Sequence, residues 1–214
     1  MRFYLTTVQS GEAKRAAALG FVDGLFIPRV EVLRSGRDYS ALVTDLAAAH
    51  FRWIGIEPSE LDAEGMVSEA GRLAKAAAVR LTCLMPMSLE SVRAVAMSAV
   101  KADILGGVQY VCSIAQAMMA ARAGASCIVL DAAALASADI EIASIVSRIK
   151  GIFSSFDLGT QILVSDIRTA ADAAIVAAAG ADGVICDWVA LQDLAYHPCT
   201  DASIERRLSE WHPG

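Results

Sequence analysis

The sequence predicts a single α/β domain, a (β/α)8 TIM barrel with one additional C-terminal helix. Three observations carry that expectation. A chain of 214 residues is long enough to form one undivided barrel, so residues 1–214 are read as one domain. A joint of Ala-rich helix, glycine and short apolar strand recurs, at Ala18-Leu19-Gly20, Ala123-Gly124-Ala125 and Ala179-Gly180-Ala181. Apolar runs of strand length also alternate with stretches of helical periodicity, and those runs lack the polar alternation of a half-exposed strand, as parallel strands covered on both faces do. A doubly wound open sheet is the second architecture that this pattern allows.

Taken in order, the strand candidates are Phe3 to Leu5, Gly24 to Ile27, Trp53 to Ile56, Val79 to Leu84, Val108 to Val111, Cys127 to Leu130, Gln161 to Val164 and Val184 to Cys186. Helical spacing covers Glu12 to Leu19, Ser40 to Ala49, Ala63 to Ala77, Leu89 to Val100, Ile114 to Ala123, Ile140 to Phe153, Ala170 to Ala179 and Val189 to Ala195. Asp62, Ser88, Ser113 and Thr169 stand where N-caps belong, and glycines 20, 124 and 180 stand where a left-handed cap ends a helix. Gly106-Gly107 precedes the fifth strand and is read as easing a turn. The last helix, Ser203 to Trp211, aligns Ile204, Leu208 and Trp211 on one stripe. A closed ring of eight has no place for a ninth helix, so this stripe needs another surface, either the base of its own barrel or a neighbouring subunit, and the neighbouring subunit of a homo-oligomer is the expected one.

Composition excludes several function classes. The net charge is −6 with no Lys/Arg cluster, so neither a nucleic acid nor an anionic membrane is an expected partner. The longest uncharged stretch, Ile104 to Ala121, is broken by glycines and glutamines, where a membrane helix needs about 20 predominantly apolar residues. The first residues turn polar before a signal-peptide core could form, so a cytoplasmic protein is expected. The five cysteines show no C-x-x-C spacing, and Cys83, Cys112, Cys127 and Cys186, within or beside apolar strand or helix signals, are read as buried, inert thiols.

Val22-Asp23-Gly24, Gly36-Arg37-Asp38-Tyr39, Asp62-Ala63-Glu64-Gly65-Met66, Ala115-Gln116-Ala117, Ala123-Gly124-Ala125, His197-Pro198-Cys199-Thr200-Asp201, Ile204-Glu205-Arg206 and Glu210-Trp211 occur in order. In these motifs the chain resembles the small transaldolases and the bacterial fructose-6-phosphate aldolases. The resemblance implies a (β/α)8 barrel, a C-terminal helix reaching across a subunit contact, and a decamer or smaller ring. It also implies aldol chemistry through a Schiff base on a lysine at the end of the fourth strand.

Against that family pattern most catalytic positions differ. Cys83-Leu84-Met85-Pro86 stands where the family has its lysine, so Leu84 replaces the amine. Thr6 replaces an aspartate, Pro28 an asparagine turn, Asp131 an aromatic residue, Ala134 the phosphate-binding arginine and Asp166 a serine. Glu57, Ile167-Arg168 and the polar Gln109 match or nearly match. A Schiff base requires a primary amine, and the four lysines, at 14, 75, 101 and 150, are all read as solvent-facing helix residues.

The mouth instead collects acid. Glu57, Asp131, Asp166 and Asp187 fall at strand C-termini, the face where barrel chemistry occurs. Carboxylates crowded together repel one another unless a cation sits among them, so the four form a candidate divalent-metal set or a site for a cationic ligand. The ligand-binding candidates are Arg29, Glu57, Gln109, Asp131, Asp166, Arg168 and Asp187. Arg168 is also read as a salt-bridge partner of Asp166. No other cofactor is expected. Three functions follow: a barrel without Schiff-base chemistry that binds an unphosphorylated small molecule or serves as a non-catalytic homologue, a lyase or isomerase using the acidic mouth, and a conventional aldolase or transaldolase on sugar phosphates.

Overall fold

The computed structural model describes residues 1–211, in which eight parallel strands close into a barrel in chain order. The strands are β1 (Arg2–Thr6), β2 (Gly24–Ile27), β3 (Trp53–Ile56), β4 (Leu81–Pro86), β5 (Ile104–Gln109), β6 (Cys127–Asp131), β7 (Gln161–Ser165) and β8 (Gly183–Cys186). Closure is made by β1 on β8, with Arg2 opposite Gly183 and Leu5 opposite Cys186. The open-sheet alternative is thereby excluded.

The helices are α1 (Ser10–Leu19), α2 (Arg29–Ser35), α3 (Tyr39–Ala47), α4 (Ala63–Ala77), α5 (Leu89–Ser98), α6 (Ile114–Arg122), α7 (Ala132–Ser137), α8 (Ile142–Ser155), α9 (Ala170–Ala178), α10 (Trp188–Asp193) and α11 (Pro198–Trp211). All four anticipated N-caps accept a backbone N–H: Asp62 from Gly65, Ser88 from Ser91, Ser113 from Gln116 and Thr169 from Asp172. Each such cap stabilises its helix by about 1 kcal/mol. Glycines 20, 124 and 180 have φ of 76°, 92° and 98°, the left-handed turn that a β-carbon resists.

Two short helices, α2 and α7, were not expected. Both begin directly at a strand end, after Pro28 and Asp131, and are too short to show a periodicity. The fourth strand starts two residues later than read, and the fifth starts four residues earlier, at Ile104. Gly106 and Gly107 therefore lie inside β5 rather than in a turn. They are glycine because of close approach: a Cβ on Gly106 would meet Ser98 Oγ at 2.6 Å, and one on Gly107 would meet Leu84 Cδ2 and Cys127 Sγ at 2.8 Å each.

The core has two compartments. The larger lies between the sheet and the helices, with residues such as Leu5, Ile27, Ile56, Met85, Val108 and Ile149. The smaller fills the barrel itself with Tyr4, Phe26, Leu84, Cys127, Val129, Leu163 and Ile185, closed on one side by Trp53. Helix α11 has no buried residue, and Ile204, Leu208 and Trp211 are all exposed. Among the described residues no helix is long and apolar enough to cross a membrane.

Candidate active site at the barrel mouth

The C-terminal ends of the strands form a mouth with two unlike halves. On the β3–β5 side the polar groups are already paired. Gln109, almost fully buried, donates from Nε2 to Glu57 Oε1 at 2.7 Å and to the Leu84 carbonyl at 3.1 Å. Tyr110 donates its hydroxyl to the same Glu57 oxygen at 2.9 Å, and the Arg29 backbone N–H donates to Glu57 Oε2 at 2.8 Å. Tyr39 holds the backbone of Glu57, donating to its carbonyl at 2.9 Å and accepting from its N–H at 3.2 Å. One carboxylate is thus fixed by three donors from two segments, an arrangement that leaves little rotational freedom. Burial, then the negative charge of Glu57, raise the Tyr110 phenol well above its usual titration range, so its proton stays on.

The other half is an open cavity of about 1060 Å³ bordered by Thr6, Pro28, Asp131, Ser165, Asp166, Arg168 and Asp187. Its acids are committed to local roles. Asp131 caps α7 by accepting from the Ala134 N–H at 2.9 Å, and Asp187 caps α10 by accepting from the Ala190 N–H at 2.8 Å. Asp166, in a left-handed turn with φ of 59°, takes both Nε and a terminal nitrogen of Arg168 at 3.2 Å. That pair is exposed and contributes little to stability.

Several expectations change here. The four carboxylates do not act together: among the described residues no group of three or more His, Cys, Asp or Glu could hold a metal ion. Glu57 is turned to Gln109 and Tyr110, while the three aspartates are spent on two helix caps and an arginine. Arg29 contributes only its backbone to the mouth. Its guanidinium stacks on the Tyr39 ring, 4.9 Å from the centroid, and lines an outer cleft with Arg37 and Glu69. Neither Glu57 nor Gln109 borders the large cavity.

Two functional candidates escaped the sequence reading. Tyr110 was placed inside a strand, and its position just past a strand end was the available signal. Tyr39 ends the stretch Gly36-Arg37-Asp38-Tyr39, and nothing local in it points to Glu57. The capping duties of Asp131 and Asp187 were also legible, since an aspartate directly before a helix is an N-cap.

No family model matches the chain. A protein of Methanococcus maripaludis (strain C7) named "Probable transaldolase" is 31% identical over 211 residues, covering 99% of this chain and 97% of that one. One of the same name from Aquifex aeolicus is 30% identical, covering 99% and 96%. The chain belongs to the transaldolase family. Among solved structures, a mandelate oxidase bound to (S)-2-phenylpropionate superposes with a TM-score of 0.63 at 15% identity, over 87% of this chain. The present chain spans only 64% of that protein's length, and the likeness is one of fold.

Within this transaldolase-family barrel, Leu84 points into the apolar interior and is wholly buried. None of the four lysines borders the mouth cavity. Lys14, Lys75 and Lys101 are exposed, and Lys150 pairs with Asp182 at 2.6 Å, before β8 at the opposite end of the barrel. His50 lies in the loop before β3 and His197 directly precedes α11, while His212 falls outside the described residues. The buried cysteines are poor nucleophiles: burial pushes the Cys127 and Cys186 thiols up to about 12, so no thiolate forms near neutral pH.

Proposed function

We propose that this transaldolase-family barrel does not form the ketose Schiff base and that its mouth takes a small, unphosphorylated molecule. The observation that carries the reading is the burial of Leu84 in the apolar interior, at the position that the family resemblance sets against the lysine, with no lysine bordering the mouth. The phosphate side supports it. Two backbone N–H groups at helix starts, which could otherwise meet an anion, are taken by Asp131 and Asp187, and Asp166 adds a third carboxylate. A dianion meets repulsion there.

A second reading is favoured by Glu57 and Tyr110. Glu57 and Tyr110 set a carboxylate and a phenolic hydroxyl within one hydrogen bond of each other at the strand ends, a pair that suits orientation of a polar substrate in a lyase or isomerase. The conventional aldolase reading lacks an amine at the mouth. The same proposal places the protein in the cytoplasm as a homo-oligomer, with the exposed stripe of α11 covered by a second copy.

Borohydride trapping with fructose 6-phosphate or dihydroxyacetone, followed by intact-mass measurement, tests the reading. The expected result is an unmodified chain. A reduced adduct on any lysine overturns the proposal and restores the aldolase.

A further inference from the structure

At the N-terminal base of the barrel, opposite the mouth, lies a second cavity of about 700 Å³ bordered by Arg2, Tyr4, Asp23, His50, Arg52 and Trp53. Barrel bases ordinarily serve stability alone, and the polar groups of this one are out of balance. Tyr4 is 1% exposed, and its hydroxyl is the one buried side-chain polar atom among the described residues without a hydrogen-bond partner. Its ring packs on Trp53, tilted by 49° with 4.5 Å between centroids, and runs toward the base. A Cβ on Gly183, which pairs with Arg2 at the foot of the sheet, would lie 2.8 Å from Tyr4 Cε2.

An orphaned buried hydroxyl costs about 1–3 kcal/mol, so such a group ordinarily has a partner. The surroundings say what kind. Arg2 and Arg52 are exposed, and among the described residues neither makes a salt bridge. Burial raises the Tyr4 phenol above its ordinary value, and Arg2 lowers it, first by a hydrogen-bonding approach and then by charge, although no Arg2 contact reaches hydrogen-bond geometry. The acid bordering the cavity, Asp23, gives one carboxylate oxygen to the Phe3 N–H at 2.8 Å. Asp182, nearby at the foot of β8, is engaged by Lys150 and by the Ile162 N–H. Two guanidinium forks and a phenolic O–H supply donors on several sides of one space, with His50 at its rim.

We infer that this basal cavity is a binding site for a tetrahedral oxyanion, inorganic phosphate or a small phosphate monoester, held by Arg2, Arg52 and the Tyr4 hydroxyl. A tetrahedral dianion accepts bonds in more directions than a carboxylate and so fits this donor set better. The catalytic face is at the other end of the barrel, so the ligand here stabilises the fold or signals to it by binding the native state alone.

The test is thermal unfolding of the full chain in phosphate, in glycerol phosphate and in chloride of equal ionic strength, the last to remove general screening. Phosphate should raise the midpoint above the chloride control. Tyr4→Phe removes the orphaned hydroxyl at no cost in packing, so it should leave the midpoint in chloride unchanged or raised and lose most of the phosphate gain. Arg52→Gln should weaken phosphate binding tenfold or more, read from the concentration dependence. A gain only with the ester assigns the site to a phosphorylated metabolite, and an equal gain with both assigns it to phosphate itself. No gain over chloride, or a gain untouched by Tyr4→Phe and Arg52→Gln, overturns the inference. A gain lost instead in Arg168→Gln places the anion at the mouth, which overturns this inference and counts against the unphosphorylated-ligand reading together.

Discussion

Leu84→Lys probes the packing of the barrel interior and the proposed loss of chemistry in one variant. Leu84 is wholly buried in a ring of Tyr4, Phe26, Cys127, Val129, Leu163 and Ile185. The fit is tight enough that a Cβ on Gly107 would sit 2.8 Å from Leu84 Cδ2. A lysine there must shed its proton or keep a charge among apolar side chains. Shedding it at pH 7 from an unfolded value of about 10.4 costs about 4–5 kcal/mol, at about 1.4 kcal/mol per pH unit. Keeping it costs more unless the ammonium stretches up to Glu57. The expected loss is therefore about 4–5 kcal/mol, a large share of the roughly 5–15 kcal/mol that holds a domain folded. The sign with pH is fixed. The folded amine has a depressed pKa, so the unfolded chain binds the extra proton, and the variant gains stability as pH rises toward 10.4. Urea unfolding of both proteins at pH 7 and pH 9.5 should show the gap narrowing by about 3 kcal/mol. A gap under about 1 kcal/mol at both pH values would refute the apolar burial of this position. The variant should still trap no dihydroxyacetone with borohydride, because Thr6, Pro28 and Ala134 also differ from the family pattern. Recovery of aldol cleavage from this one change would show that the divergence lies at a single residue.

Glu57→Gln should destabilise the barrel by about 1–3 kcal/mol in urea unfolding, since either amide orientation sets an N–H₂ against a donor it now faces; a neutral result would mean that the network is not formed in solution. Asp131→Ala should cost about 1 kcal/mol through loss of the α7 cap, read as a lowered thermal midpoint, while Asp131→Asn should retain most of it. In thiol labelling at pH 8, exposed Cys199 should react in the native protein, whereas Cys83, Cys127 and Cys186 should react only with unfolding, because burial both shields them and holds them as thiols. Leu208→Asp should leave the unfolding of the barrel unchanged but reduce the mass measured by light scattering, since α11 buries nothing against its own chain; an unchanged mass would remove the reason for placing a second copy on that stripe.

The barrel was legible because its signals are local and repeated. Glycine-capped helix ends, four side-chain N-caps and apolar strand runs each report on a few neighbouring residues, and eight repeats of the same unit leave few ways to arrange it. Strand ends were read less well where glycine intervened. Gly106-Gly107 looks like a turn in isolation and is a strand because it pairs with Cys83 and Leu84 of β4, while Ser98, Leu84 and Cys127 leave no room there for a side chain.

The mouth was half legible. That Glu57, Asp131, Asp166 and Asp187 lie at strand ends followed from the strand assignment alone. What those acids do was decided by partners distant in sequence or by backbone direction. Glu57 is claimed by Gln109 and Tyr110, more than fifty residues away, while Asp131 and Asp187 turn back onto the helices they begin. The same holds at the base, where Arg2, Tyr4 and Arg52 carry no motif and meet only because the feet of β1 and β3 flank β2 around the closed barrel. The sequence by itself determined the eightfold repeat and the caps, since each depends on residues within a few positions of one another. Only the closed barrel decided which acids are free, which hydroxyl is orphaned and which arginines surround it, because those facts depend on distances across the barrel that no local pattern records.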